Sequence, residues 1–113
     1  MSRLRSLPSI SLSLVTVYTA GIWTVKPGRE DEFVALWREL ADWTLGSFPV
    51  AHGTLLRSRD EPSRFLSFGP WESVEQIDRW RASPEWQALV ERLRELLNAF
   101  EPGTYDLAAE VGG

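Results

Sequence analysis

Cysteine is absent from this chain of 113 residues. That excludes disulfides, thiol nucleophiles and Cys-based metal sites. Histidine occurs once, as His52, which excludes a zinc site built on two or more histidines of one chain. A basic excess is missing too: 12 Lys+Arg stand against 16 Asp+Glu, for a formal charge of −4. Phosphate neutralisation needs clustered Lys and Arg, so neither a nucleic acid nor an acidic membrane surface is expected as partner. No apolar run approaches the roughly 20 residues of a spanning helix. Met1 to Leu14 carries Arg3 and Arg5 and then alternates Ser with Leu and Ile. It lacks the continuous apolar stretch of a secretion signal, and the expected location is cytoplasmic. No nucleotide loop, Ser-His-Asp set or pair of catalytic carboxylates stands in a recognisable frame.

What is present is a globular composition, 43% hydrophobic and 25% charged, of a length that suits one domain. Six Trp and five Phe are a heavy load of large rings for so short a chain. Each ring buries about 150–250 Å², more than one small core readily hides. The excess reads as a ligand pocket, a subunit interface or both; the plainer alternative is a Trp-rich core.

Leu14 to Val25 is rich in Val, Thr, Tyr and Ile, the composition of a strand. Lys26-Pro27-Gly28 turns the chain. The acids Glu30, Asp31 and Glu32 suit a helix N-terminus, and Phe33, Leu36, Trp37, Leu40 and Trp43 recur at helical spacing up to a stop at Gly46. Val50 to Ser58 and Arg64 to Trp71 read as an antiparallel hairpin across a polar turn. Ser73 with Gln76 makes a capping box for a second helix, with Val74, Ile77 and Trp80 on its inner face. Ser83-Pro84 starts a third helix, whose stripe runs Trp86, Leu89, Val90, Leu93, Leu96, Leu97, Phe100. Glu91, Arg92, Arg94 and Glu95 read as its solvated outer face. Pro102-Gly103 ends that helix, and Thr104 to Val111 reads as a last strand.

The order β-α-β-β-α-α-β predicts an α+β, ferredoxin-like split βαβ fold: a four-stranded antiparallel sheet with helices on one face. Residues 1–13 are expected to form an N-terminal extension and 14–113 the domain. The first and last strands are semi-apolar on both faces, and such a sheet wants a second layer. A second copy in a two-fold dimer is the simplest one.

Several junctions resemble those of the antibiotic biosynthesis monooxygenase (ABM) family. They are the run from Val25-Lys26-Pro27-Gly28 through Glu30-Asp31-Glu32-Phe33 to Leu36-Trp37, then Leu55-Leu56-Arg57-Ser58, Trp71-Glu72-Ser73 and Ala82-Ser83-Pro84-Glu85. The resemblance covers about Val15 to Val111 and rests on the ordered set, no single motif being specific. It implies a dimeric α+β barrel with two sheets face to face. It implies in addition either oxygenation of aromatic polyketides or quinols by dioxygen without metal or flavin, or haem degradation, many members having no assigned activity. Haem-degrading members use an Asn on the first strand, a Trp in the second helix and an iron-ligating His ten residues later. Aligned on Gly28, those positions are Gly21, Trp80 and Val90 here. Only the Trp matches, and the iron ligand is the one that cannot be spared.

Cofactor-free oxygenation has physical requirements. Dioxygen is a triplet, and a closed-shell substrate reacts slowly until deprotonation makes it electron-rich. The protein must supply a dry pocket, a base and groups that hold the anion. Trp37, Trp43, Trp80 and Trp86, with Phe33, are candidate walls for a flat aromatic substrate. His52 is the candidate base, since its ordinary pKa is about 6.5; a lone His at a strand start is otherwise merely exposed. Trp80 is the second candidate catalytic residue, or a core residue. Tyr18 and Tyr105 are candidate donors to a substrate oxygen, or packing residues; Arg57 and Arg64 are candidate anion holders, or surface groups. Trp71 reads as structural. Two functional readings follow: a cofactor-independent monooxygenase of a small aromatic molecule, or a non-catalytic dimeric module for an apolar ligand. Neither calls for a metal or a bound cofactor. A buried His52 beside a cavity with Trp80 or Trp37 favours the first; an exposed His52 with no cavity favours the second.

Overall fold

A computed structural model of the chain describes residues 17–50 and 52–112. The expected extension, residues 1–13, and the first residues of the expected opening strand lie outside them. Strand β1 spans Val17–Val25. It ends at the Lys26-Pro27-Gly28 turn, where Gly28 has φ 91°, a left-handed conformation that glycine adopts without a Cβ penalty.

Helix α1, Glu30–Ser47, carries three acids in its first turn. Its buried residues are Phe33, Leu36, Leu40 and Thr44; Trp37 and Trp43 lie half-buried at the margins of the stripe. The helix runs through Gly46 and stops at Phe48, whose extended backbone leads into Pro49. Strand β2 is only Thr54–Arg57, shorter than the expected Val50 to Ser58. Val50 instead packs against the cluster of Val17, Trp71 and Ile77, and His52 and Gly53 belong to no strand. Strand β3, Arg64–Trp71, has the expected bounds.

Helices α2, Val74–Ala82, and α3, Pro84–Arg94, meet at Ser83. Ser73 Oγ accepts from the Gln76 N–H at 3.2 Å, and Gln76 Oε1 accepts from the Glu72 N–H at 3.1 Å. The capping box is thus present, shifted by one donor. Ser83 Oγ accepts from the Trp86 N–H and donates to the Trp80 carbonyl, joining the end of one helix to the start of the next. Val74, the first residue of the helix, is exposed rather than inward; Gln76 and Ile77 are the buried pair.

Helix α3 ends six residues before the expected limit at Phe100. Leu97–Asp106 is strand β4. It pairs antiparallel with β1, with a register shift opposite Thr24 and Val25. Leu97 faces Val25 and Phe100 faces Trp23, so one extra residue in β4 puts two side chains three apart on the same face. That spacing imitates a helix, and pairing with β1 decides the outcome. Phe100 stacks on Trp23 with centroids 3.9 Å apart at 17°. Residues 107–112 form no regular structure, so the expected strand Thr104 to Val111 is displaced toward the N-terminus.

The sheet order is β2-β3-β1-β4, all antiparallel, with the three helices on one face. This is the expected ferredoxin-like architecture. Beneath the helices the core forms two clusters. One joins Trp23, Val25, Phe33, Leu40, Phe65 and the α3 stripe; the other joins Val17, Trp71 and Ile77 with Phe48, Val50 and Trp80. On the opposite face, strand alternation sets Tyr18, Ala20 and Ile22 beside Leu56, Leu66, Phe68 and Tyr105. Among the described residues no helix is long and apolar enough to cross a membrane.

Candidate functional site

A cavity of about 100 Å³ lies where the two core clusters part, between the sheet and the helices. β1, β3 and the His52-Gly53 segment ahead of β2 form its floor, α1 one wall, and α2 and α3 the other. Three glycines keep it open. A Cβ on Gly21 would meet Phe100 Cε1 at 3.0 Å and Ser67 Oγ at 3.4 Å. A Cβ on Gly69 would meet the His52 carbonyl oxygen at 3.0 Å, a backbone atom with little freedom to yield. Gly53 lies against the Trp37 ring, 3.7 Å from its Cη2 in the same sense. The His52–Gly53 segment therefore sits close on β3 and beside Trp37.

Three of the lining tryptophans have their donors engaged. Trp23 Nε1 donates to Ser67 Oγ at 2.9 Å, Trp71 Nε1 to Thr19 Oγ1 at 3.0 Å, and Trp80 Nε1 to Thr44 Oγ1 at 2.9 Å. Thr44 Oγ1 in turn donates to the Leu40 carbonyl at 2.8 Å. Each bond contributes about 1 kcal/mol and, more to the point, fixes an indole plane. The rings continue from one to the next: Trp71 and Trp80 centroids are 4.9 Å apart, Trp80 and Trp86 5.7 Å. The result is a flat-sided, largely apolar chamber of preset shape.

The expected site residues divide. His52, Trp37, Trp80 and Trp86 all line the cavity. Phe33 does not: it is fully buried in the larger core cluster, between Trp23 and Phe65. Tyr18 is on the opposite face of the sheet, because its strand position alternates with Val17 and Thr19, and Tyr105 pairs beside it there. His52 precedes β2 rather than belonging to it, and its side chain is exposed at the cavity rim. Neither Arg57 nor Arg64 reaches the cavity. Arg57 lies over the Phe65 ring at 5.4 Å and donates to the Pro62 carbonyl, and Arg64 is exposed.

Other lining residues carry no mark in the sequence. Thr19, Thr44 and Ser67 become visible only as the indole partners, and each bond joins residues at least 36 apart. Trp71, expected as structural, is buried and also forms a wall. Arg81, next to Trp80 on α2, lines the rim and donates to Thr104 Oγ1 at 3.2 Å. Among the described residues no group of three His, Cys, Asp or Glu could hold a metal ion.

A ferredoxin-like sheet with an aromatic chamber under its helices defines a class of small α+β proteins. The chain belongs to the antibiotic biosynthesis monooxygenase family, whose profile matches residues 16–92. Solved structures share the fold. SnoaB, a cofactor-independent oxygenase from Streptomyces nogalater, superimposes with a TM-score of 0.76 at 24% identity, over 86% of this chain and 96% of that one. A conserved protein from Methanosarcina mazei Go1 gives 0.76 at 20% identity, over 85% and 96%. A protein from Shewanella oneidensis gives 0.71 at 21%, over 83% and 92%. No curated protein sequence matches the chain.

Proposed function

We propose that this protein is a cofactor-independent monooxygenase of a small, electron-rich aromatic molecule, with His52 as base and Trp37, Trp80 and Trp86 as the walls that hold the ring. The observation that carries the reading is the chamber itself: flat indole faces, that of Trp80 fixed by Thr44, with the chain's one imidazole at the rim. Membership of the family and the likeness in fold to SnoaB support it.

The chemistry needs nothing else bound. His52 takes a proton from an acidic phenol or anthrone, and the resulting anion gives one electron to dioxygen. Recombination and loss of water turn a ring methylene into a carbonyl. One oxygen atom stays in the product, the other leaves as water with the two substrate hydrogens, and no external reductant is required. The apolar walls exclude bulk water while the anion exists. A dimer closed across the free sheet face is part of the proposal.

The exposure of His52 favours a second reading, a non-catalytic module that binds an apolar ligand in the same chamber. Oxygen uptake by the purified, metal-free protein against a panel of hydroquinones, anthrones and naphthols decides between them. The oxygenase predicts uptake above the uncatalysed rate that is insensitive to chelator and falls at least about tenfold in His52→Ala, within the range of a positioned base. Uptake that survives this substitution keeps the enzyme and removes His52 from it. No uptake with any compound leaves the binding module.

A further inference from the structure

We propose that Arg81 makes the chamber selective for aromatic molecules that bear a carboxylate. The inference rests on the chamber being the small-molecule site, and names the chemistry of what enters it.

Charge is the first argument. The chain is acidic overall, yet no Asp, Glu or Lys lines the cavity. Among the described residues its ionisable groups are His52 and Arg81, so the one permanent charge they bring is positive. Both ion pairs among the described residues, Arg29–Glu32 and Arg92–Glu39, lie elsewhere. Arg81 is half-buried at the rim, where a counter-charge is screened less than at an open surface.

Hydrogen-bonding capacity is the second. Ser67 Oγ and Thr19 Oγ1 accept indole N–H groups and donate to no described residue. Thr44 Oγ1 is engaged both as acceptor and as donor. Arg81 uses Nη1 on Thr104 and retains the rest of its five-donor fork. Apart from His52, the chamber presents side-chain donors looking for acceptors. A carboxylate, which only accepts and matches the guanidinium fork, complements that set. The aromatic body then lies against the tryptophans.

A plainer role for Arg81 would be to complement the C-terminal end of the α2 dipole. Arg79 stands in the same last turn without lining the cavity, so the dipole does not account for a cation at the rim.

The test is binding, read by tryptophan fluorescence of the full chain titrated with 1-hydroxy-2-naphthoate and, separately, with 1-naphthol. The expected result is at least about tenfold tighter binding of the acid, as a charge-assisted hydrogen bond provides. Arg81→Gln brings the two affinities within about twofold of each other, and Arg81→Lys, which keeps the charge without the fork, lies between. Added salt weakens the acid selectively. Equal affinities in the unsubstituted protein, no binding of the acid, or a preference that survives Arg81→Gln overturns the proposal. Should Arg81→Gln fold poorly, Arg81→Lys and the salt dependence decide alone. No turnover enters the readout. Absent oxygen uptake therefore sinks the oxygenase and leaves this selectivity standing, and absent selectivity does the reverse.

Discussion

Each indole–hydroxyl bond around the chamber is an asymmetric pair. Thr44 Oγ1 still donates to the Leu40 carbonyl when the indole is gone, but the Trp80 N–H has no other described acceptor when the hydroxyl is gone. Trp80→Phe is therefore expected to cost about 1 kcal/mol in unfolding free energy, and Thr44→Val more, about 1–3 kcal/mol, by stranding a donor. Urea unfolding checks this: both midpoints fall, the second further, with the slope unchanged. Equal losses would mean that water replaces Thr44 as the acceptor.

At the scale of elements, Glu30 links three of them. Its carboxylate accepts the Ser63 hydroxyl at 2.6 Å and the Gly28 N–H at 2.9 Å, tying the β2–β3 turn to the start of α1. The Ser63 bond, then backbone N–H groups and the nearby Arg57 guanidinium, hold the Glu30 carboxyl below its ordinary value of 4.5. A lowered folded value means that the stabilisation is fully present above that ordinary value. It is lost as the pH falls below 4.5 through the folded value. Glu30→Gln is expected to flatten the acid limb of a stability-against-pH curve, read from urea midpoints; an unchanged limb would show that the link is not formed in solution.

The same scale shows what the sequence reveals and what it hides. The start of α2 was legible because Ser73 and Gln76 act within one turn, and the start of α3 because Ser83 and Pro84 do. β3 was legible from its dense apolar composition between a polar turn and a cap. The end of α3 was not, since the bulge in β4 sets Leu97 and Phe100 on one face at a helical interval, and only the partner strand distinguishes the two cases. The site divides in the same way. Tryptophan abundance pointed to a chamber walled by Trp37, Trp43, Trp80 and Trp86 with Phe33, of which Trp43 and Phe33 do not line it, whereas Ser67, Thr44 and Arg81 owe their places to residues distant in the chain.

For the whole molecule, the sheet face that the described residues leave uncovered is the dominant feature. Leu66 is 41% exposed and Leu56 49%, on a face shared with Ile22 and Phe68. An apolar face of this kind marks an association surface. The proposed dimer predicts that the protein elutes as two chains, and that Leu66→Glu elutes as one with an unchanged circular-dichroism spectrum. A protein that already elutes as one chain would remove the dimer from the proposal.

The margins of the sheet constrain the form that association takes. β2 offers a border of four residues, and β4 carries Pro102, which fits a border strand with its nitrogen turned away from its neighbour. Neither border presents a long unbroken ladder to a further strand. Sideways addition, which never terminates and ends in fibres, is obstructed at both ends. In the proposed dimer, contact through the face is self-complementary and saturates after one partner, which would hide the apolar side of the sheet without seeding polymerisation.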